Sequence, residues 1–496
     1  MGKRYLIISD LHLADVEDHA DGWKAHKASR YVFDEQLDEL VASLEAQARA
    51  GEDLILVLNG DIFDFDIVTA IPDPAPFPVS ARERGRGVLQ PTEEKSVWKL
   101  GLILKHHPRF VATLARFLAA GHRVVYVLGN HDRELHFPAA QAAFIAAIAA
   151  RAPEAGRALV AAGVQFEEWF YWVPGEIYVE HGNQYDHYSS YRHILAPVVR
   201  SQGEDEIAVP MGNLTNRYLA SGMGFFNPHS GDFILGLFGY LAHWLKYYAF
   251  TRRSLIGRWF VGSLLVLAKL LETKGKAHRQ SESHAAALAE RAARLGVPLA
   301  TLQALDRLQR PPMATKLFRV IHEFWIDRLG VAAGMVALTI VLALTGVPLW
   351  AKLMVPLSAF PLLYFIYDWA VRGDTLYTVE KEVPRYAEAI ASRLGVKVVS
   401  FGHTHIPQLV PLARGVVFVN SGTWAPIMRK TDDRRLAPGY RNFVVCAFDG
   451  RDVAVTLDSW LPGEQVEREP DVVPLGAPGA RRPDAAPAFA AQRAAQ

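Results

Sequence analysis

At 496 residues the chain exceeds what one hydrophobic core usually fills, so one large domain with a substantial insertion, or two domains, is expected. A formal net charge of +1 excludes a protein that relies on a broad basic surface to hold nucleic acid. The single cysteine, Cys446, excludes an intrachain disulfide; inside the apolar run FVVCAF it reads as a small buried hydrophobe, compatible with the cytosol.

The start, MGKRYLIISD, reaches an aspartate too soon for a signal-peptide core, so no secretion signal is expected. Tyr5 to Ile8 form a hydrophobic strand that empties into Asp10 and His12, two residues apart and on one side of the chain. Alone, that pair also reads as a capping Asp and a stray surface His. An amphipathic helix follows, roughly Ala28 to Ala50. Strand Leu54 to Leu58 then delivers a Gly and Asp61; Asp64 and Asp66 behind it read as loop carboxylates or helix caps. Pro72 to Gly87 reads as a long irregular excursion. Helical text from about Ser96 to Ala120 breaks at Pro108, with His106 and His107 read as ordinary surface residues.

The stretch VVYVLGNHD, from Val124 to Asp132, is the clearest of the set. A strand stops at Gly129, and Asn130, His131 and Asp132 sit at its carboxyl end, where open α/β sheets place their ligands. An Ala-rich helical stretch covers about Ala139 to Ala162. Ile177 to Val179 then exit into His181, and Val396 to Val399 into Gly402, His403 and His405. Five strand exits therefore carry an Asp, Asn or His, four of them beside a Gly. Two close divalent ions need a shared carboxylate, with imidazole and amide oxygen in the outer positions. Mixed imidazole and oxygen ligation favours manganese, with iron, zinc or cobalt as alternatives, over calcium.

The ordered set D-x-H, GD, GNHD, H-G and GHTH resembles the calcineurin-like metallophosphoesterase superfamily, over residues 1–186 and about 394–460. The resemblance implies an α/β/β/α architecture, a two-sheet sandwich flanked by helices, with a two-metal centre at the strand ends. By position, Asp10, His12, Asp61 and His405 would hold one metal, and Asp61, Asn130, His181 and His403 the other, with Asp61 bridging. His131 would assist the leaving oxygen and Asp132 would orient His131. SDLHL, HGNQYD and GHTHIP are similar to UDP-diacylglucosamine pyrophosphohydrolases. Those enzymes usually carry Arg at the position of His131 and are much shorter.

The insertion, about 187–393, is expected to be helical and partly membrane-associated. Tyr188, Tyr191 and His193 at its start either approach the site or simply pack. From Phe233 to Leu271, Trp244, Tyr247, Tyr248 and Trp259 lie among Lys246, Arg252, Arg253 and Arg258, which fits either a lipid headgroup boundary or a helical core. The text from Thr273 to Arg310 reads as soluble helices. Leu329 to Ala351 is uncharged and long enough to span a bilayer; after Lys352 a shorter uncharged run, Leu353 to Tyr367, contains Pro356 and Pro361. Because His181 precedes the insertion and His403 follows it, the chain must cross an even number of times. A hairpin at 329–369, turning near Trp350 to Lys352, is expected. Lys316, Arg319, Arg328 and Arg372 put its ends and the site on the cytoplasmic side, the inner membrane in a bacterium.

After GHTH, the run GVVFVNSGTW and a hairpin turning at Asp449 and Gly450 are expected to complete the second sheet, the core ending near 462. The tail, 463–496, rich in Ala, Pro and Arg, is expected to be disordered. The composite expectation is a two-metal phosphoesterase acting on a phosphorylated small molecule or lipid. A non-catalytic membrane-anchored binding protein and a soluble nuclease remain as alternatives. Oligomeric state is not legible.

Overall fold

The apolar runs of the sequence become two β-sheets stacked face to face with helices outside them. The computed structural model describes residues 2–49, 51–201, 203–224, 244–245, 248–249, 255–274, 277–315, 317–371, 376–428, 436–437, 439–450 and 452–460. The strands, in chain order, are β1 (Lys3–Ile8), β2 (Asp53–Asn59), β3 (Arg123–Val127), β4 (Val164–Glu167), β5 (Phe170–Val173), β6 (Ile177–Glu180), β7 (Val198–Ser201) and β8 (Glu204–Ile207). After the insertion come β9 (Val398–Phe401), β10 (Gln408–Pro411), β11 (Val417–Asn420), β12 (Ile427–Met428), β13 (Leu436–Ala437), β14 (Asn442–Asp449) and β15 (Asp452–Ser459).

The first sheet runs β15-β14-β1-β2-β3-β4, with β1 through β4 parallel. The second runs β10-β11-β9-β6-β5, with β11, β9 and β6 parallel. Strands buried on both faces need apolar side chains at odd and even positions alike, which explains the unbroken runs YLII, LILVL and VVYV. Tyr5, Ile7, Ile55, Val57, Val125 and Val127 point between the sheets, where they meet Val179, Val398 and Val419. Their neighbours Leu6, Ile8, Leu56, Leu58, Val124 and Tyr126 point to the helices. Cys446 lies in the inter-sheet layer, fully buried.

The final hairpin corrects one expectation. β14 and β15 join the first sheet, β14 pairing antiparallel with β1 from Lys3↔Phe448 to Ile7↔Val444. β1 has β2 on one side only, and its other edge needs a partner; the second sheet takes β11 alone from this region, with β10 at its edge. Other differences are local. The expected helix from Ala28 starts only at Asp34 (Asp34–Gln47), after two 3-10 turns. Within 72–87 a short helix, Ala81–Arg86, forms on a capping box between Ser80 and Glu83. The Pro108 break is present: Glu93–His106 ends and Pro108–Ala119 begins, with Pro at the first turn, where its missing N–H is harmless.

The insertion is mostly helical: Leu255–Lys274, Ala277–Leu295, Leu299–Asp306, Leu317–Glu323, Ile326–Leu344 and Leu349–Val371. Tyr248 is buried against Trp23 and Trp259 is partly buried against the main core, so these two belong to packing. Residues 225–243, Lys246, Tyr247, Arg252, Arg253, Lys316, Arg372 and the tail 463–496 lie outside the described residues. The helix Leu376–Leu394, which the sequence places in the insertion, buries Val383, Ala387 and Ile390 in the main core.

Candidate metal centre

β1, β2, β3, β6 and β9 are linked through parallel pairings within their sheets, and each loop that leaves them carries at least one candidate ligand. These loops brace one another through the backbone. The Asp10 amide donates to the Gly60 carbonyl at 3.1 Å, the His12 amide to that of Asp61 at 2.9 Å, and the Gly402 amide to that of His181 at 2.9 Å. Among the described residues nine non-glycine positions have positive φ, and five are Asp10, His12, Asp61, His403 and His405. Left-handed backbone at an Asp or His is strained; its concentration here marks a segment whose side-chain direction the surrounding structure imposes. Gly129 is required by contact: a Cβ there would lie 2.2 Å from Asp61 Oδ1.

Six of the seven expected ligands are brought together. Asp10, His12 and His405 offer ligand atoms within 4.8 Å of one another, as do Asp61, His181 and His403, and Asp61 also groups with His12 and His131. Within these sets His405 Nε2 lies 3.1 Å from Asp10 Oδ1, and His12 Nε2 lies 3.2 Å from His405 Nε2. His181 Nε2 lies 3.0 Å from Asp61 Oδ2. Asp61 thus stands between the two groups. Asn130, only 3% exposed, lies on the β3 loop next to His131, whose amide donates to Asp61 Oδ1 at 2.8 Å.

The donor set fits divalent cations. Asn130 Oδ1 is buried without a hydrogen-bond partner, while Asp10 Oδ1 and His181 Nε2 are buried facing only other candidate ligands, His405 and Asp61. His181 Nδ1 donates to the Asn59 carbonyl at 2.9 Å, which aims Nε2 at the Asp61 carboxylate. Carboxylates crowded out of water need positive charge among them, which a divalent cation or an imidazole proton supplies. The electrostatics show that need. Burial alone would raise the Asp61 carboxyl, but the His181 and His131 imidazoles hold it well below its ordinary range. Burial alone would lower His181, but the Asp61 and Asp10 carboxylates push it up to about 9. His131 behaves alike: burial opposes, and Asp64 and Asp61 hold its imidazole well above the usual value.

Asp132 does something other than orient His131. Its Oδ2 accepts from the Ile62 amide at 2.9 Å and Tyr126 Oη at 2.7 Å, and its Oδ1 from the Gly129 amide at 2.6 Å. It secures the turn that carries Asn130 and His131, because its oxygens are committed to that turn. The carboxylates against His131 Nδ1 are Asp66 Oδ2, at 2.9 Å, and Asp64 Oδ1, at 3.3 Å. Asp64 Oδ2 also meets His12 Nδ1 at 3.2 Å, aiming Nε2 at the Asp10 group. Asp64 and Asp66, which the sequence offers as loop carboxylates or helix caps, are thus site residues; their signal is a second and third carboxylate in the run GDIFDFD. Sequence reading missed Asp186, 3.1 Å from His403 Nε2, and Asn213, whose side chain reaches Asn130. Tyr191 does approach the site, donating to the Asn130 carbonyl at 3.1 Å, while His193 packs beside His284. His107 is not a surface residue: it is 3% exposed, bonded to the Asp34 carboxylate and the Ala14 carbonyl.

Residues 3–222, less than half of the chain, match the family model of the calcineurin-like phosphoesterases. The match ends before His403 and His405, which β9 returns to the same site. No curated protein matches the chain. Among solved structures, Vps29 of Entamoeba histolytica complexed with zinc is 14% identical over 18% of this chain and 47% of its own, with a TM-score of 0.15. Vacuolar Protein Sorting 29 of Cryptosporidium parvum is 23% identical over 18% and 42%, with a TM-score of 0.14. A conserved Streptococcus pneumoniae protein described as a phosphoesterase is 15% identical over 18% and 47%, with a TM-score of 0.13. The chain spans less than half the length of each of these three.

Proposed function

We propose that the chain is a membrane-attached, binuclear metal-dependent hydrolase that cleaves a phosphodiester or pyrophosphate bond in a lipid-linked or nucleotide-activated substrate. The observation that carries the hydrolase reading is the gathering of Asp10, His12, Asp61, His181, His403 and His405 into overlapping clusters, with the buried, unpartnered Asn130 Oδ1 on the adjoining loop. Asp10, His12 and His405 would hold one ion, and Asn130, His181 and His403 the other, with Asp61 shared. When bound, a divalent pair of this kind supplies a nucleophile at neutral pH and neutralises charge developing on phosphorus. Manganese is the first candidate.

The protein's own groups do the rest. His131, held in the cationic form by Asp64, Asp66 and Asp61, offers a proton to the departing oxygen. Asp61 Oδ1 takes the His131 amide at 2.8 Å, which ties the acid's backbone to the shared ligand. The motif likeness to UDP-diacylglucosamine pyrophosphohydrolases supports a pyrophosphate substrate bearing acyl chains, with His131 as the departure from their pattern.

Membrane attachment rests on the helices Ile326–Leu344 and Leu349–Val371. Of the residues in their apolar stretches only 6% and 0% are buried within the molecule, and large exposed apolar surfaces mark interaction or membrane sites. At ~1.5 Å per residue the first arm spans roughly 28 Å, close to the ~30 Å hydrocarbon core. The turn is at Thr345–Pro348, earlier than the sequence indicated, and the second arm absorbs Lys352 and both prolines as one helix. It is therefore no shorter than the first. Lys352 Nζ donates to the Ala343 carbonyl at 2.9 Å beside the turn, and Tyr367 Oη bonds Asp327 at the base. Trp350 is exposed at one end and Trp325 and Trp369 at the other, the placement of interfacial aromatics. Thr339 and Ser358 return their hydroxyls to carbonyls of their own helices, as lipid requires. Arg319 and Arg328 near the base favour the cytoplasmic side for the site.

The test is turnover by detergent-solubilised protein with Mn²⁺ on phosphomonoesters, phosphodiesters and acylated or nucleotide pyrophosphates, beside Asp61→Ala. Metal-dependent cleavage of the pyrophosphates, lost in the variant, is expected, together with flotation of the full chain with phospholipid vesicles. Absence of turnover in both proteins points to a binding protein. Preference for DNA or for soluble esters, with no vesicle flotation, overturns the membrane substrate.

A further inference from the structure

Among the ligand candidates Asn130 has the most ambiguous side chain, because an amide presents a donor or an acceptor according to its flip. The helical segment 211–223 of the insertion resolves that ambiguity. Asn213, 1% exposed, donates through Nδ2 to Asp66 Oδ2 at 2.6 Å and to the Asn130 carbonyl at 3.2 Å. Both N–H bonds of Asn213 are thereby committed, so its Oδ1 is left to accept, and it takes Asn130 Nδ2 at 3.2 Å. Asn130 must then turn Oδ1 the opposite way, where it is buried with no protein partner.

The relay has an anchor one turn on. Arg217, 3% exposed, pairs with both Asp66 and Glu134, each itself buried. A carboxylate beside a guanidinium offers only acceptors, so Asp66 dictates which end of Asn213 faces it. The order Arg217, Asp66, Asn213, Asn130 is a line of fixed polarity that begins on the insertion, passes through the β2 loop and ends at a candidate ligand. Asp66 in addition touches His131 Nδ1, so one line serves both the ligand and the acid.

We propose that Asn213 is a positioning residue for metal loading: it orients the Asn130 oxygen toward the cation held with His181 and His403, so that this half of the centre depends on the docked insertion. The inference rests on the reading that Asn130 faces a cation. Outer-sphere partners of metal ligands typically contribute ~10–100-fold in metal affinity.

The experiment is calorimetric titration of metal-free full-length protein with Mn²⁺, with electron paramagnetic resonance of the loaded sample. Wild type should take up two ions and give the spin-coupled signal of a close pair. Asn213→Leu, of similar size but without the amide, should keep one ion at wild-type affinity, bind the second ~10–100-fold more weakly and lose the coupled signal. Leu214→Ala, which removes a buried packing side chain from the same segment and leaves the relay intact, should keep both ions. Should the leucine variant fail to fold, Asn213→Ser carries the same expectation. Both ions bound by the Asn213 variant as by wild type, or equal loss in Leu214→Ala, overturns the inference. A wild type that takes up no Mn²⁺ removes the metal reading beneath it.

Discussion

His131 separates chemistry from metal holding. Its imidazole is clamped by Asp64 and Asp66, while its backbone amide serves Asp61. His131→Ala keeps that amide, so bound metal should be unchanged while kcat falls by ~10²–10⁴, the range for a lost general acid; metal analysis beside steady-state kinetics checks both halves. Gly129→Ala tests the close approach. The added methyl would sit 2.2 Å from Asp61 Oδ1 and 2.5 Å from its amide, and no flexible side chain is available to yield. Asp61 must move, so the expected result is loss of turnover with ~1–3 kcal/mol of destabilisation, the usual cost of overpacking, read from chemical denaturation.

Strands deliver the ligands, and the long loop after β1 is held in place by its own charges. Lys27 bonds the carboxylates of Asp15 and Glu17 and the Ile67 carbonyl, and Lys24 bonds Glu17 and Thr69. Burial would raise the Glu17 carboxyl, but Lys27 and Lys24 hold it below its ordinary range. A carboxyl lowered on folding contributes stability above its unfolded pKa, about 4.3, and loses that contribution as pH falls through the folded value. Glu17→Gln should therefore lower the urea midpoint at pH 7, and the gap from wild type should narrow as the pH is taken below about 4.3. An equal gap at pH 7 and pH 3 would show that the charge is not the cause. The hairpin is the element whose sequence signal most misled in detail. Hydropathy saw a lysine as a boundary, whereas Lys352 caps a carbonyl of the facing arm and lets one helix run from Leu349 to Val371.

At the scale of the molecule, the centre joins the N-terminal domain, the segment 211–223 and the loop after β9. Ions that bind the folded chain and not the unfolded one stabilise it by mass action, about 2.7 kcal/mol at a hundredfold excess over Kd. Chelation should lower the thermal midpoint and Mn²⁺ should restore it; a midpoint indifferent to both would argue that the cluster holds no metal. Apolar runs marked the strands, and polar residues beside glycine at their ends marked the loops that carry candidate ligands, because buried parallel strands need unbroken apolar text; the two-sheet architecture and the division of seven ligands between two ions were what the family resemblance implied. What tertiary structure alone decided was partnership. Asp64 and Asp66 look like ordinary loop acids until His131 is seen against them, Asp132 looks catalytic until its oxygens are found on a turn, and Asn213 carries no local mark at all. A ligand's type is written in its own residue, but the direction in which Asn130 points depends on hydrogen bonds from parts of the chain 80 or more residues away, which only folding brings within reach.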